Sequence, residues 1–189
     1  MNTIKYVFIT LLGLFIATLC AVTDLPIIHL VFSLVMFAVI YLFYREDRPF
    51  PKYKLSGKDI LVVLIGIVVI FILDNLLIYI LPNPVEEQHT KVLLQNYGLY
   101  GILLACVVAP ITEEYIFRYI PTDKPTIIVS IFLFGLFHTQ VSQDIYTAFY
   151  PAIVTAMNAV AFHLFYRKAD NLYVSIFIHA SMNLIALGL

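Results

Sequence analysis

The side chains best suited to move a proton or hold a developing charge are two adjacent carboxylates, Glu113 and Glu114, two histidines, His138 and His179, and the amide of Asn183. Each lies in an apolar stretch, where an ionisable group costs at least ~2–3 kcal/mol and needs a partner or a task. Glu114 and Arg118 are spaced i,i+4, so they can pair along one helix face. Glu113 lies about 100° round the helix from Glu114, so the two carboxylates are expected to meet different neighbours. His179 and Asn183 also share an i,i+4 face and make a natural pair of donors to one ligand atom. Two carboxylates in a low-dielectric site do not ionise freely together, which suits the less well paired one to acid–base work.

These residues have to be carried by membrane-type helices. Hydrophobic residues make up 62% of the 189 and charged residues 12%, and the mean hydropathy is +0.95. A soluble domain runs near half apolar and a quarter charged, so too few polar residues remain here to clothe a water-soluble surface. The apolar residues come in blocks near the ~20 residues that cross a bilayer. Seven such blocks can be drawn, at about 4–22, 25–44, 59–81, 92–120, 125–141, 146–166 and 172–188. Asp24 and Pro26 separate the first two, and a charged loop from Arg45 to Lys58 follows the second. Pro82-Asn83-Pro84 with Glu86-Glu87, then Pro121 to Pro125, then Arg167 to Asn171 mark later breaks. The fold class expected is an all-α, polytopic transmembrane bundle of about seven spans.

Alternating the spans puts Lys5, Arg45, Arg48, Lys52, Lys54, Lys58, Arg118, Lys124, Arg167 and Lys168 on one side and Lys91 alone on the other. By the positive-inside rule the basic side, with the N-terminus, is cytoplasmic. At a rise of ~1.5 Å per residue, Glu113, Glu114, His138 and His179 fall roughly 12–21 Å from that side, near the middle of the ~30 Å core. Three helices thus bring Glu, His and His to similar depth. The first block has Lys5 ahead of an apolar run but no A-x-A arrangement, and Leu19 is too large for a lipoprotein cleavage site before Cys20, so it reads as a retained helix. Cys20 and Cys106 read as small buried hydrophobes. With no repeat or linker, residues 1–189 form one membrane domain, and a net charge of -1 gives no case for nucleic acid.

Glu113-Glu114-Tyr115-Ile116-Phe117-Arg118 resembles the E-E-x-x-x-R motif of the CAAX protease and bacteriocin-processing family (CPBP, Abi-like), which includes the type II CAAX prenyl endopeptidases. The segment from Ser130 to His138 resembles its F-x-x-x-H motif. Asn171 to Asn183 resembles its H-x-x-x-N motif with the N-L-x-x-S-I lead-in, and Ala109-Pro110-Ile111 also fits. The resemblance covers about residues 95–189, whereas 1–90 match only as generic spans. It implies an intramembrane endopeptidase in which Glu113 and His138 activate a water. His179 and Asn183 then stabilise the oxyanion, and Glu114 and Arg118 orient the site. A zinc reading gives Glu113, His138 and His179 as ligands with water as the fourth. Metal-free chemistry is favoured because the sequence lacks a compact H-E-x-x-H and shows no second shell around the site. Tyr119 stands where the family usually has Gly, and the segment from Tyr119 to Val129 is short. Both bear on substrate entry at the cytoplasmic face.

The remaining polar residues have plainer readings. His29 and His163 sit near span ends and read as interfacial, and Asn158 reads as interhelical glue. Asp74 and Asn75 read as packing or water-exposed, and Tyr41, Tyr44, Tyr166 and Tyr173 suit the aromatic belt. The expected partners are the bilayer and a peptide or protein substrate, such as a bacteriocin or pheromone precursor, in a multi-pass bacterial cell-membrane protein. Peptide maturation or bacteriocin self-immunity is the expected biology. The competing functions are a non-catalytic immunity or binding protein, against which the polar set argues, and a proton-coupled transporter, against which the lack of an inverted repeat argues.

Overall fold

The computed structural model describes residues 3–21, 26–81, 98–139 and 144–188, without the side chains of 14–30 and 32. The readings on Asp24, Pro82, Asn83, Pro84, Glu86, Glu87 and Lys91 lie outside these described residues, and those on Cys20 and His29 fall on side chains that are not described. Seven helices and no strand occur among them. They are α1 (Thr3–Ala21), α2 (Pro26–Tyr44), α3 (Gly57–Ile80), α4 (Leu99–Tyr119), α5 (Lys124–Leu136), α6 (Ile145–Ala169) and α7 (Leu172–Leu187). Three of these, α3, α4 and α6, are long and apolar enough to cross a membrane.

Local chemistry fixes the helix starts. Ser56 and Asp59 form a capping box at α3. Asp123 caps α5 by accepting from the Thr126 amide, with Pro125 following in the first turn. Asp144 caps α6 through the Thr147 amide, and Asn171 caps α7 through the Tyr173 amide. The hydrogen bonds from Thr126 hold the Asp123 carboxyl below the usual carboxylate range. Those from Thr147 do the same for Asp144. Between α6 and α7 the chain turns through Asp170 at φ 49°, a left-handed conformation that Asp tolerates better than most residues.

The helices alternate in direction. Thr3 meets Thr126 at 3.0 Å, Lys5 Nζ donates to the Phe43 carbonyl at 3.3 Å, and Arg48 donates to the Tyr119 carbonyl at 2.6 Å. The Asn171 amide donates to the Lys54 carbonyl at 2.7 Å. The starts of α1, α3, α5 and α7 and the ends of α2, α4 and α6 therefore gather at one end of the bundle. α4 runs through the main core, where Tyr115, Ile116, Phe117 and Ile120 pack with Tyr6, Ile40, Phe134 and Leu172. α3 stands at the rim. Only Gly66, Ile70 and Leu77 are buried along it, while apolar residues such as Leu64, Val68 and Ile72 are exposed. So broad an exposed apolar face suits lipid rather than water.

One packing expectation changes. Tyr44 and Tyr166 are buried, and Tyr41 and Tyr173 are half-buried against other rings, so these four tyrosines pack inward rather than forming a lipid-facing belt. Tyr173 instead donates to the Pro51 carbonyl at 2.8 Å. His163 is half-buried, and its Nδ1 has no hydrogen-bond partner among the described residues. Asp74 accepts from Asn158 Nδ2 at 2.5 Å, which ties α3 to α6 as expected of Asn158, and Asn75 is exposed and bonds back to the Phe71 carbonyl.

Candidate active site

The first three site residues lie in the second half of α4, which is not a regular α-helix. Leu104–Val108 and Tyr115–Tyr119 are π-helical turns on either side of Ala109–Glu114. Such turns recur at functional sites. Here Pro110 supplies a local cause. The Ala109 amide donates to the Leu104 carbonyl, and the π pattern would next ask residue 110 to serve the Ala105 carbonyl, for which proline has no N–H. Asn183 of α7 meets that need, its Nδ2 donating to the Ala105 carbonyl at 2.6 Å. The α4 distortion and the last motif residue are thus physically linked.

Beyond Pro110, α4 presents Glu113, Glu114 and Arg118. Glu114 and Arg118 are almost fully buried, with Arg118 Nε 3.4 Å from Glu114 Oε2. The guanidinium lies 3.9 Å from the Phe134 ring centroid and 5.4 Å from that of Phe162. Its terminal nitrogens have no hydrogen-bond partner among the described residues, so the two aromatic faces supply the compensating attraction. The other Glu114 oxygen, Oε1, is 2.9 Å from His179 Nδ1.

The two glutamates do not go to separate neighbours. Glu113 Oε2 lies 3.8 Å from His179 Nε2, so both carboxylates approach one imidazole from opposite edges. A ring with nitrogens on two edges can be approached from both. Glu113 is the more exposed of the two, at 23% of its side chain against 0% for Glu114.

His138 sits just past the end of α5. Its Nδ1 is 2.8 Å from the Phe134 carbonyl. A carbonyl only accepts, so this bond places the proton on Nδ1 and leaves Nε2 as the acceptor. Glu114 orients His179, accepting from its Nδ1–H. Phe134 joins the two histidines, its ring centroid 4.8 Å from His138 and 6.2 Å from His179. Phe162 adds a further face at 5.2 Å from His179. Phe134 and Phe162 were assigned no part by the sequence reading, although Phe134 is the aromatic residue of the second motif. Cys106 is half-buried in the first π turn rather than in the core.

The zinc reading needs Glu113, His138 and His179 around one point. No three His, Cys, Asp or Glu side chains converge in metal-holding geometry among the described residues. As arranged, these residues do not fit a three-ligand zinc site. The premise that no second shell exists is nevertheless corrected, because Glu114 on His179 Nδ1 is the carboxylate–histidine pairing that orients metal ligands in other proteins.

Residues 95–185 match the family described as type II CAAX prenyl endopeptidase, Rce1-like. This stretch is an Rce1-like CAAX endopeptidase family domain. It spans α4 to α7 and contains every residue of the cluster around His179. The UPF0177 protein YbdI of Lactococcus lactis subsp. lactis is 26% identical over 174 residues, covering 84% of this chain and 92% of its own length. No solved structure matches the chain.

Proposed function

We propose that the chain is an intramembrane endopeptidase of the bacterial cell membrane, crossing it seven times with its N-terminus in the cytoplasm. The observation that carries this reading is His179 held between Glu114 at 2.9 Å and Glu113 at 3.8 Å, inside the Rce1-like domain. A helix-packing role would need one of those carboxylates, not both.

In the proposed reaction Glu113 and His138 Nε2 hold a water, and its oxygen attacks the peptide carbonyl carbon as Glu113 takes the proton. The carbonyl oxygen becomes an oxyanion, which receives hydrogen bonds from His179 Nε2–H and the free N–H of Asn183. The C–N bond then breaks, and Glu113 returns its proton to the leaving nitrogen. For Nε2 to donate, His179 carries both protons. The substrate would be a membrane-associated peptide or protein, with bacteriocin or pheromone precursors the first candidates.

The test is cleavage of leader peptides and a farnesylated tail by detergent-purified protein, read by mass spectrometry with and without chelator. Glu113→Gln is expected to lower the rate by about 10²–10⁴-fold, as removal of a general base does. Equal cleavage by both proteins would remove Glu113 from the mechanism. Loss of activity in chelator would replace the metal-free scheme with a metal-dependent one.

A further inference from the structure

Outside the proposed catalytic cluster, the described residues form a cleft of about 810 Å³ at the end of the bundle where the helix ends gather. Its walls come from the segment after α2, the start of α3, the ends of α4 and α6, and the start of α7. Arg48, Lys52, Lys54, Lys58 and Lys168 line it, against only Asp59 and Asp170. Asp59 is already engaged, accepting from the Ser56 amide and hydroxyl at 2.8 Å each. The four lysines are all exposed, so the cleft presents a surplus of ammonium groups to an incoming anion.

The cleft also has an apolar way out. Leu61 lies in its wall and begins a strip along α3 that continues through Leu64, Ile65, Val68 and Ile72. These residues are 48–59% exposed. Their spacing of i, i+3, i+4, i+7 and i+11 keeps them on one helix face. An anionic head among the lysines would therefore sit directly below a path for a long hydrocarbon chain.

We propose that this cleft binds an anionic phospholipid, with its phosphate among Lys52, Lys54, Lys58 and Lys168 and an acyl chain along the α3 strip. Basic pockets between helices at the cytoplasmic face are suited to such head groups. A free phosphate or an acidic peptide would satisfy the lysines but leave the strip unused. The site is separate from the proposed peptidase chemistry and does not depend on it.

The test uses the full chain reconstituted in nanodiscs with phosphatidylglycerol or phosphatidylcholine, then released into mild detergent and examined by native mass spectrometry. The wild type is expected to retain phosphatidylglycerol in preference to phosphatidylcholine, and excess inorganic phosphate should not displace it. Lys54→Glu with Lys58→Glu should reduce retention about tenfold. Lys54→Arg with Lys58→Arg should preserve it, and so should Lys124→Glu, which lies outside the cleft. If the charge reversal prevents folding, Lys52→Gln with Lys168→Gln gives the same comparison. Equal retention of the two lipids, equal retention by the charge-reversed protein, or displacement by inorganic phosphate alone would overturn the proposal.

Discussion

Asn183 has one observed task, and the proposed reaction gives it a second that can be separated from the first. Its amide has two N–H groups, and one of them already serves the Ala105 carbonyl that Pro110 leaves without a backbone donor. Removing the amide strands that carbonyl, at a cost of about 1–3 kcal/mol. If the second N–H also meets the oxyanion, cleavage should fall by about 10²–10³-fold in addition. Asn183→Ala is therefore expected to lower both the melting temperature and kcat. A lower melting temperature with kcat intact would confine Asn183 to holding the π turn. The i,i+4 spacing to His179 made Asn183 legible as a donor to a shared ligand atom, and the resemblance implied an oxyanion as that ligand, but the bond to Ala105 was not legible. The clue was present, because a proline within a helix always frees an upstream carbonyl. The grip of both glutamates on His179 was less accessible, since it depends on how the ring is turned and not on spacing.

At the scale of elements, the histidine placement rests on how closely α5 approaches α6. A Cβ added at Gly135 would stand 2.7 Å from the Ala152 carbonyl oxygen and 2.9 Å from the Ala156 Cβ. The first of these is backbone and cannot swing aside. Gly135→Val should push the helices apart, cost about 1–3 kcal/mol, and shift His138, three residues on, out of register with His179. Gly57→Ala is the control, because nothing lies within 4 Å of its added Cβ. Normal activity in Gly135→Val would mean that His138 is not positioned by this contact. Helix number and most boundaries were readable from hydrophobic block length and from the prolines and charged residues between blocks. The π turns were not, because they leave no mark on an apolar pattern. α5 also ends at Leu136 rather than near 141, with His138 folded back onto the Phe134 carbonyl. The segment between α2 and α3 read only as a charged loop. Yet Tyr115 and Tyr119 bond the Arg48 and Pro49 carbonyls at 2.7 and 2.9 Å. Tyr119, where the resembling family usually has Gly, thus fastens this segment to α4.

At the scale of the whole molecule, charge and contact lead to the same arrangement by independent routes. The sequence places ten cations on one side by counting spans, and the direct contacts among Thr3 and Thr126, Lys5 and Phe43, Arg48 and Tyr119, and Asn171 and Lys54 bring those regions together without any count. Cytoplasmic retention of that end follows if the positive-inside rule operates. In a background lacking Cys20 and Cys106, single cysteines at Lys54, Lys124 and Lys168 should react with a membrane-impermeant maleimide only after the cells are opened. Cysteines at Tyr79 and Ile145, at the opposite ends of α3 and α6, should react in intact cells. The Lys124 position is the most informative because α5 has 13 residues, only about 20 Å of helix, and it follows the α4 segment distorted by two π turns. Labelling of Lys124 from outside, with Lys54 protected, would mean that α4 does not return the chain to the cytoplasmic side. Glu113 and His138 would then be measured from different membrane faces, and their matching depth would lose its meaning. Protection of all three positions would instead place the glutamates and histidines in one layer of the bilayer, reached from the side where α5 stops short.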